Sequence, residues 1–370
     1  MRNRQPVHVL YGGGHLFQSN VSSKMGQIAL RFLDNHMPNA EPLATAFGIP
    51  LSLAKAVYPR LRHKLETEPV EEVRIDFEDG YGSRSDAEED AHAEAAAKQL
   101  TGDSLPPFLG LRIKALRGKT QRRGLRTLER FFAAVEKVPD GFVVTLPKIV
   151  GPEEVELLLA NIPADVGVEL MIETTEALDC LKELHQAGKG RVTAAHFGPY
   201  DFLASCGIAA VRESLQHPIC EAARTKMLFA YACTAIHLSD GPTRDLPLGD
   251  FPMEASALHF HNVQQAMEVG FYQGWDLHPA QLPARHAAVF AFYLNGLDHH
   301  RKRLVNFMEA SAQATRIGQT FDDVATALGL LHFFRRAVDC GAIEESEVGV
   351  SLAEVTQLLD SGIPKELRVV

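Results

Sequence analysis

The sequence has few cysteines, and their spacing forms no pattern. The five cysteines lie far apart, are odd in number and include no Cys-x-x-Cys pair. This usage argues against a disulfide framework and against a cysteine-rich zinc site, and it is typical of proteins from a reducing compartment. We therefore expect a cytoplasmic protein whose thiols mostly fill its core.

The sequence also lacks long apolar runs and an excess of basic residues. No stretch approaches the roughly 18 apolar residues that a membrane span needs, and the basic start at residues 1–4 precedes too short an apolar run for a signal peptide. The 37 Lys and Arg residues are outnumbered by 47 Asp and Glu residues, for a net charge of −10. We therefore expect no membrane and no nucleic-acid partner, and a small-molecule ligand instead.

Short β-branched runs alternate with longer amphipathic stretches along the chain. Because most of these runs are continuously apolar, they are typical of parallel strands covered on both faces. The alternation predicts an α/β protein with a (β/α)₈ TIM barrel. An open doubly wound sheet is the competing topology, but no Gly-x-Gly-x-x-Gly motif follows the first run. The predicted strands are 7–11, 73–77, 108–113, 142–146, 168–172, 192–197, 235–238 and 274–277.

Two segments are additional to the eight strand–helix units of a minimal barrel. Residues 15–72, between the first two predicted strands, carry helical patterns and predict a helical insertion. After the eighth strand only helical patterns follow. We therefore predict a catalytic TIM-barrel domain over residues 1–295 and a C-terminal helical extension over residues 296–370.

Two acidic residues follow consecutive predicted strands. Glu173 ends the fifth apolar run, and Asp201 comes just after the sixth. In a TIM barrel the C-terminal strand ends meet at one mouth, so these carboxylates can converge on one cation. Mg²⁺ takes oxygen ligands and commonly uses only one or two carboxylates. The pair predicts a Mg²⁺ or Mn²⁺ site.

Other strand ends add charged side chains to the same mouth. The second strand ends in the acidic cluster 76–79, which is typical either of an active site or of helix capping and loop solubility. Arg112 lies in an otherwise apolar run, and burial of an arginine favours a role in binding an anion over a plain ion pair. Lys148 follows the fourth strand, where it can pair with an acid or act as an amine nucleophile.

The motifs, taken together, are similar to those of the HpcH/HpaI aldolase and citrate lyase β-subunit family. Their order and spacing match along residues 70–285, although each motif alone is a weak signal. The resemblance implies a TIM barrel and the Mg²⁺-dependent making or breaking of a carbon–carbon bond next to a carboxylate. The motifs are Val-Arg-Ile-Asp-Phe-Glu-Asp, Leu-Arg-Ile, Thr-Leu-Pro-Lys-Ile, Met-Ile-Glu-Thr, Phe-Gly-Pro-Tyr-Asp-Phe, Glu-Ala-Ala-Arg and Asp-Leu-His-Pro-Ala-Gln.

The resemblance also implies roles for individual residues. Glu173 and Asp201 correspond to the metal ligands, and Arg112 to the residue that holds a substrate carboxylate or enolate oxygen. Glu78 and Asp79 match the acidic motif that lines or supports the site. His15 resembles in placement the loop histidine that serves as base in the non-thioester aldolases. Another carboxylate oxygen is expected at the backbone of Phe197, Gly198 and Pro199.

The expected function is a metal-dependent carbon–carbon lyase that acts on a small 2-oxo or hydroxy acid, or on its coenzyme A ester, through an enolate. The family resemblance also implies a homo-oligomer, a trimer or a hexamer. The first strand lacks the arginine that is typical of relatives using coenzyme A esters, so the thioester stays open. The basic segment 114–123 is compatible with a bound phosphate or with a solvated loop.

Three other functions remain open from the sequence. The first is a Schiff-base aldolase that uses Lys148, and the second is phosphoryl transfer on a phosphoenolpyruvate-like substrate. The third is a non-enzymatic binding role on a retained barrel. The near-complete set of acids, arginine and metal ligands argues against the third.

Overall fold

The eight predicted strands form a closed barrel. The computed structural model describes residues 4–101, 105–232, 234–313 and 324–362. Every strand pairs in parallel with the next, and the first pairs with the last, which confirms the TIM barrel and shows that the open sheet is wrong. The strands are β1 (His8–Gly13), β2 (Glu72–Asp76), β3 (Phe108–Arg112), β4 (Val143–Leu146), β5 (Gly167–Ile172), β6 (Val192–Phe197), β7 (His237–Asp240) and β8 (Gln273–Asp276).

Helices follow the strands and surround the barrel. Their apolar faces pack on the outer side of the sheet and form one continuous hydrophobic core with it. The helices between β2 and the end of the barrel are α4 (Asp86–Lys98), α5 (Gln121–Ala134), α6 (Pro152–Leu159), α7 (Thr175–Asp179), α8 (Leu181–Ala187), α9 (Pro199–Ser205), α10 (Pro218–Tyr231), α11 (Pro252–Glu268) and α12 (Leu282–Leu294).

The segment between β1 and β2 is helical, as its sequence pattern predicts. It folds as α1 (Val21–His36), α2 (Ala40–Phe47) and α3 (Leu51–Thr67). These helices contact α11 and α12, so the insertion packs on the side of the barrel where the chain closes the sheet. One such contact is the stacking of the Phe47 ring on Phe260, with 4.4 Å between ring centroids.

Helices also follow α12. They are α13 (Leu297–Gln313), α14 (Val324–Asp339) and α15 (Leu352–Gly362), and α14 contacts both α12 and α15. Residues 314–323 and 363–370 of the predicted C-terminal extension lie outside the described part of the chain. Within the described ranges, no helix combines the length and the apolar character that a membrane crossing requires.

The inside of the barrel is partly charged. The Arg74 guanidinium is fully buried, and its Nη2 donates to Glu72 Oε1 at 2.5 Å and across the barrel to Glu169 Oε2 at 2.6 Å. His196 Nε2 lies 2.9 Å from the same Glu169 oxygen, and Trp275 Nε1 donates to His196 Nδ1 at 3.0 Å. Because Trp275 is a donor only, His196 carries its proton on Nε2 and donates it to Glu169.

These interior contacts shift the pKa values of the two buried acids, Glu72 and Glu169, in opposite directions. Burial raises the pKa of Glu72 above its ordinary value, and the nearby Glu169 adds to that rise. Burial also disfavours the charged form of Glu169, but Arg74 and His196 outweigh it and lower the pKa of that carboxyl. The barrel interior is therefore held by an ion pair between Arg74 and Glu169, not by apolar packing alone.

Helix α4 begins with Ser85 as its N-cap. The Ser85 side chain accepts from the Glu88 N–H at 3.3 Å, and Glu88 Oε2 accepts from the Ser85 N–H at 2.9 Å. This reciprocal capping box satisfies two backbone donors that a helix otherwise leaves free. It fixes the start of the helix that follows the acidic end of β2.

Candidate active site

The C-terminal strand ends bring the predicted charged residues to one mouth of the barrel. Arg112 is the last residue of β3, while Glu78, Lys148 and Glu173 follow β2, β4 and β5. Asp201 lies in the first turn of α9, after β6. The contacts described below link residues from five consecutive strands into one cluster.

Glu173 is a buried carboxylate with one fixed oxygen. Its Oε1 accepts from the Lys148 backbone N–H at 2.6 Å, and only 3% of the residue is exposed. A Cβ atom at Gly198 would lie 2.6 Å from Glu173 Oε2, so a glycine is required where β6 passes this side chain. Burial, and next the negative charge of Asp201, raise the pKa of Glu173 to about 7.

Asp201 is more open than Glu173. About half of its side chain is exposed, at 48%, and its one ion pair within the described residues is with Lys148 Nζ at 3.9 Å. Glu173 Oε2 accepts no hydrogen bond from the described part of the chain. The two acids thus repel each other and keep oxygen lone pairs free.

This donor set fits a hard divalent cation. A cation between Glu173 and Asp201 relieves the repulsion that raises the Glu173 pKa, and two carboxylates are a common protein contribution to a Mg²⁺ site. Among the residues that the structure describes, no group of three or more His, Cys, Asp and Glu side chains is arranged to hold a metal. The remaining coordination positions of a cation bound there would fall to water or to substrate oxygens.

Arg112 is held rigidly by a residue that the sequence prediction did not assign. Its Nε and Nη2 donate to the two carboxylate oxygens of Asp76, both at 2.6 Å. The guanidinium also lies 4.7 Å from the centre of the Tyr11 ring. Arg112 Nη1 points instead to Glu78 Oε2, at 3.4 Å, and to the sulfur of Met171, at 3.8 Å. The bidentate pairing with Asp76 uses Nε and Nη2 and leaves Nη1 as the guanidinium nitrogen that Asp76 does not bind.

Asp76 has a second structural role at the same place. Its carboxylate accepts from the backbone N–H groups of Glu78, at 2.9 Å, and Gly80, at 2.7 Å. It therefore shapes the turn that carries Glu78 and Asp79 while it orients Arg112. Asp76 lies directly across from Arg112 in the register of β2 and β3, and the sequence alone does not show this register.

Lys148 is the residue that touches most of the acids. Its Nζ lies 2.6 Å from Glu78 Oε1 and 3.3 Å from Asp79 Oδ1, in addition to its contacts with Asp201 and Glu173. Burial alone lowers the pKa of this amine, but the surrounding carboxylates, Glu78 first, raise it well above its ordinary value. A protonated, ion-paired amine is a poor nucleophile, which disfavours the Schiff-base alternative.

His15 lies beside the loop after β2, in a short 3₁₀ turn at Gly14–Leu16. Its ring contacts those of Tyr81 and His92, with centroid distances of 5.6 Å and 5.9 Å. Burial and the charge of Arg84 lower its pKa. Within the described residues none of its polar or ring contacts is with Arg112, Glu173 or Asp201, so its role as a base stays a prediction.

The turn after β6 offers fewer backbone donors than the sequence predicts. The Gly198 N–H donates to Ile172 O at 3.0 Å, and Pro199 has no N–H group. The Phe197 side chain is buried and packs on Phe202, with 5.5 Å between ring centroids, so only its backbone faces the turn. Substrate binding at Phe197, Gly198 and Pro199 therefore stays a prediction.

The basic segment 114–123 is largely committed to ion pairs with α4. Lys114 Nζ lies 2.7 Å from Glu89, Arg122 lies 2.9 Å from Asp86, and Arg123 contacts both acids. These pairs account for most of the segment's positive charge. They disfavour its use as a phosphate-binding loop.

Most of the chain matches a family model and is similar in fold to several solved structures. A family model described as "Domain of unknown function (DUF6986)" matches residues 1–362. The sequence matches no curated protein. A citrate lyase from Burkholderia xenovorans is 21% identical, with a TM-score of 0.63 over 93% of this chain and 95% of that one.

Two structures from Mycobacterium tuberculosis have the same fold. The protein CitE in complex with magnesium, acetoacetate and coenzyme A is 18% identical, with a TM-score of 0.57 over 91% of this chain and 99% of that one. A citrate lyase beta subunit with oxaloacetate and magnesium is 18% identical, with a TM-score of 0.51 over 78% of this chain and 99% of that one. These matches confirm the predicted resemblance at the level of the fold.

Proposed function

The chain belongs to the DUF6986 family, and we propose that it is a Mg²⁺-dependent carbon–carbon lyase acting on a small 2-oxo or hydroxy acid. One observation carries the proposal. A carboxylate pair with free oxygens, Glu173 and Asp201, shares a barrel mouth with Arg112, whose Nη1 is aimed by Asp76. The two Mycobacterium tuberculosis structures of the same fold hold magnesium together with acetoacetate or oxaloacetate, which agrees with this assignment.

Cleavage next to a carbonyl leaves negative charge on an enolate oxygen, and the catalyst must stabilise that charge. Mg²⁺ held by Glu173 and Asp201 would supply Lewis-acid stabilisation. Arg112 Nη1 donates to the same anion or to the substrate carboxylate. Because Asp76 fixes the guanidinium before the substrate arrives, little reorganisation is needed during the reaction.

Glu78 and Asp79 support this arrangement from the loop after β2. Glu78 contacts both cations of the site, Arg112 Nη1 at 3.4 Å and Lys148 Nζ at 2.6 Å. Burial raises the pKa of Glu78, and Asp79 adds to the rise. We assign these two acids to the placement of Arg112 and Lys148, and we retain His15 as the candidate base.

The same proposal covers the form of the substrate, the oligomeric state and the domain organisation. The substrate is a free acid or its coenzyme A ester, and the protein acts as a homo-oligomer, a trimer or hexamer. The proposed catalytic domain covers residues 1–295, and the proposed extension covers residues 296–370, of which the described part is largely helical. Phosphoryl transfer is less favoured, because the basic segment that would hold a phosphate is paired with α4.

The metal assignment is tested by two isosteric variants. Glu173→Gln and Asp201→Asn each remove one charged ligand, so we expect Mg²⁺ affinity to fall at least a hundredfold while the fold stays intact. Isothermal titration calorimetry measures the affinity, and circular dichroism checks the fold. A screen for Mg²⁺-dependent release of a 2-oxo acid from hydroxy acids and their coenzyme A esters identifies the substrate.

Glu183→Gln is the matched control, because this exposed carboxylate on α8 lies outside the site. It should bind Mg²⁺ like the wild type. Unchanged affinity in either site variant would remove that residue from the metal site. Lyase activity that resists a chelator, together with a substrate imine on the protein that borohydride reduces and traps, would favour the Schiff-base mechanism instead.

A further inference from the structure

Lys148 contacts the four acidic residues of the site that follow strand ends, three through its side chain and one through its backbone. Its ammonium lies 2.6 Å from Glu78, 3.3 Å from Asp79 and 3.9 Å from Asp201. Its backbone N–H donates to Glu173 at 2.6 Å. The side chain is only one-third exposed, at 33%. One residue thus holds a positive charge inside the same carboxylate cluster that a divalent cation would enter.

The backbone of Lys148 is in an uncommon conformation that makes this possible. Its φ is +52°, in the left-handed region that non-glycine residues seldom adopt. Neighbouring contacts hold the segment in place, since Thr174 Oγ1 donates to Ile149 O at 2.5 Å and the Val150 N–H donates to Glu154 at 2.6 Å. This turn aims the amide at Glu173 while the side chain reaches Glu78.

The backbone amide and the side-chain ammonium of Lys148 have opposite effects on a metal ion. The amide fixes Glu173 in place and thereby favours a metal at the acid pair. The ammonium repels a divalent cation at close range, and it also neutralises Glu78 and Asp79. An anionic substrate that joins the metal offsets this repulsion.

From these contacts we propose that the Lys148 ammonium competes with Mg²⁺ for the carboxylate cluster. The ammonium thereby weakens Mg²⁺ binding and makes that binding depend on the presence of the acid substrate. The inference rests on the proposed function, because it takes Glu173 and Asp201 as the metal ligands. Lys148 is a positioning residue in this view. Metal and substrate then enhance each other's binding, and by thermodynamic linkage the enhancement is reciprocal.

The test removes the charge and keeps the backbone. Lys148→Met and Lys148→Gln retain the amide that holds Glu173, and Lys148→Arg retains the positive charge as the matched control. Calorimetry with Mg²⁺ alone should show affinity about tenfold or more tighter in the two neutral variants than in the wild type. The Lys148→Arg variant should remain close to the wild type.

The same titration with pyruvate present tests the coupling. We expect pyruvate to tighten Mg²⁺ binding in the wild type and to do so much less in the neutral variants. Equal or weaker Mg²⁺ affinity in whichever neutral variant folds would overturn the inference, while the proposed function would stand. Absence of Mg²⁺ binding by the wild type, with and without pyruvate, would overturn the proposed function itself.

Discussion

Asp76 shows how a single residue sets the geometry of the site. It binds two nitrogen atoms of Arg112 and two backbone N–H groups of the following turn. The sequence motif drew attention to the acidic cluster and to Arg112 as separate features. Their pairing depends on the strand register, which brings residues 36 positions apart side by side.

Arg112→Lys tests the guanidinium directly. A lysine cannot donate two parallel bonds to Asp76 and a third to the substrate, so we expect kcat/KM to fall well over tenfold. Steady-state kinetics of the lyase reaction measures the change, and thermal unfolding checks the fold.

Arg212→Lys, on an exposed 3₁₀ turn, is the control and should leave the rate unchanged. Near wild-type turnover by Arg112→Lys would exclude Arg112 from substrate binding.

At the scale of elements, the strands could be predicted because most coincide with a short apolar run that ends in a turn. Every strand lies within two residues of its predicted bounds. The rule that C-terminal strand ends share a mouth then placed Arg112, Lys148 and Glu173 together. What the pattern lacked was local detail: the left-handed backbone at Lys148 and the engaged amide of Gly198 depend on tertiary contacts.

The capping box of α4 gives an element-scale prediction. Ser85→Ala leaves the Glu88 N–H without its partner, so we expect a loss of about 1 kcal/mol in the free energy of unfolding. Urea denaturation measures this change.

Ser52→Ala is the control, because Ser52 is an exposed residue of α3 without a capping role, and this variant should be neutral or slightly stabilising. An equal stability of the Ser85→Ala and wild-type proteins would show that the box contributes nothing.

At the scale of the molecule, the packing of the buried Arg74 inside the barrel requires a position without a side chain, Gly110. A Cβ at Gly110 would lie 1.5 Å from Arg74 Nη1 and 2.5 Å from Val143. The large guanidinium is accommodated only because β3 carries a glycine there. Composition and periodicity do not reveal this fit, since it depends on how two neighbouring strands face the barrel axis.

Gly110→Ala should therefore destabilise the whole barrel. The added methyl group displaces Arg74 from Glu72 and Glu169, and breaking a buried ion pair costs about 3–5 kcal/mol. Chemical denaturation gives the free energy of unfolding.

Gly12→Ala is the matched control, because a Cβ at this other strand glycine meets no atom within 4 Å. Equal losses in the two variants would indicate a general cost of replacing strand glycines, and no specific role for the Arg74 fit.

The pairing of the first strand with the last also has a consequence for synthesis. β1 is synthesised well before its second neighbour, β8, which begins only at Gln273. The helices α1–α3 are likewise synthesised well before α11 and α12, which they contact. At roughly 5–20 residues per second, the intervening chain of about 260 residues takes on the order of ten to fifty seconds to make. Through that interval one edge of β1 lacks its partner strand, and an unpaired strand edge is open to pairing with another chain until β8 is made.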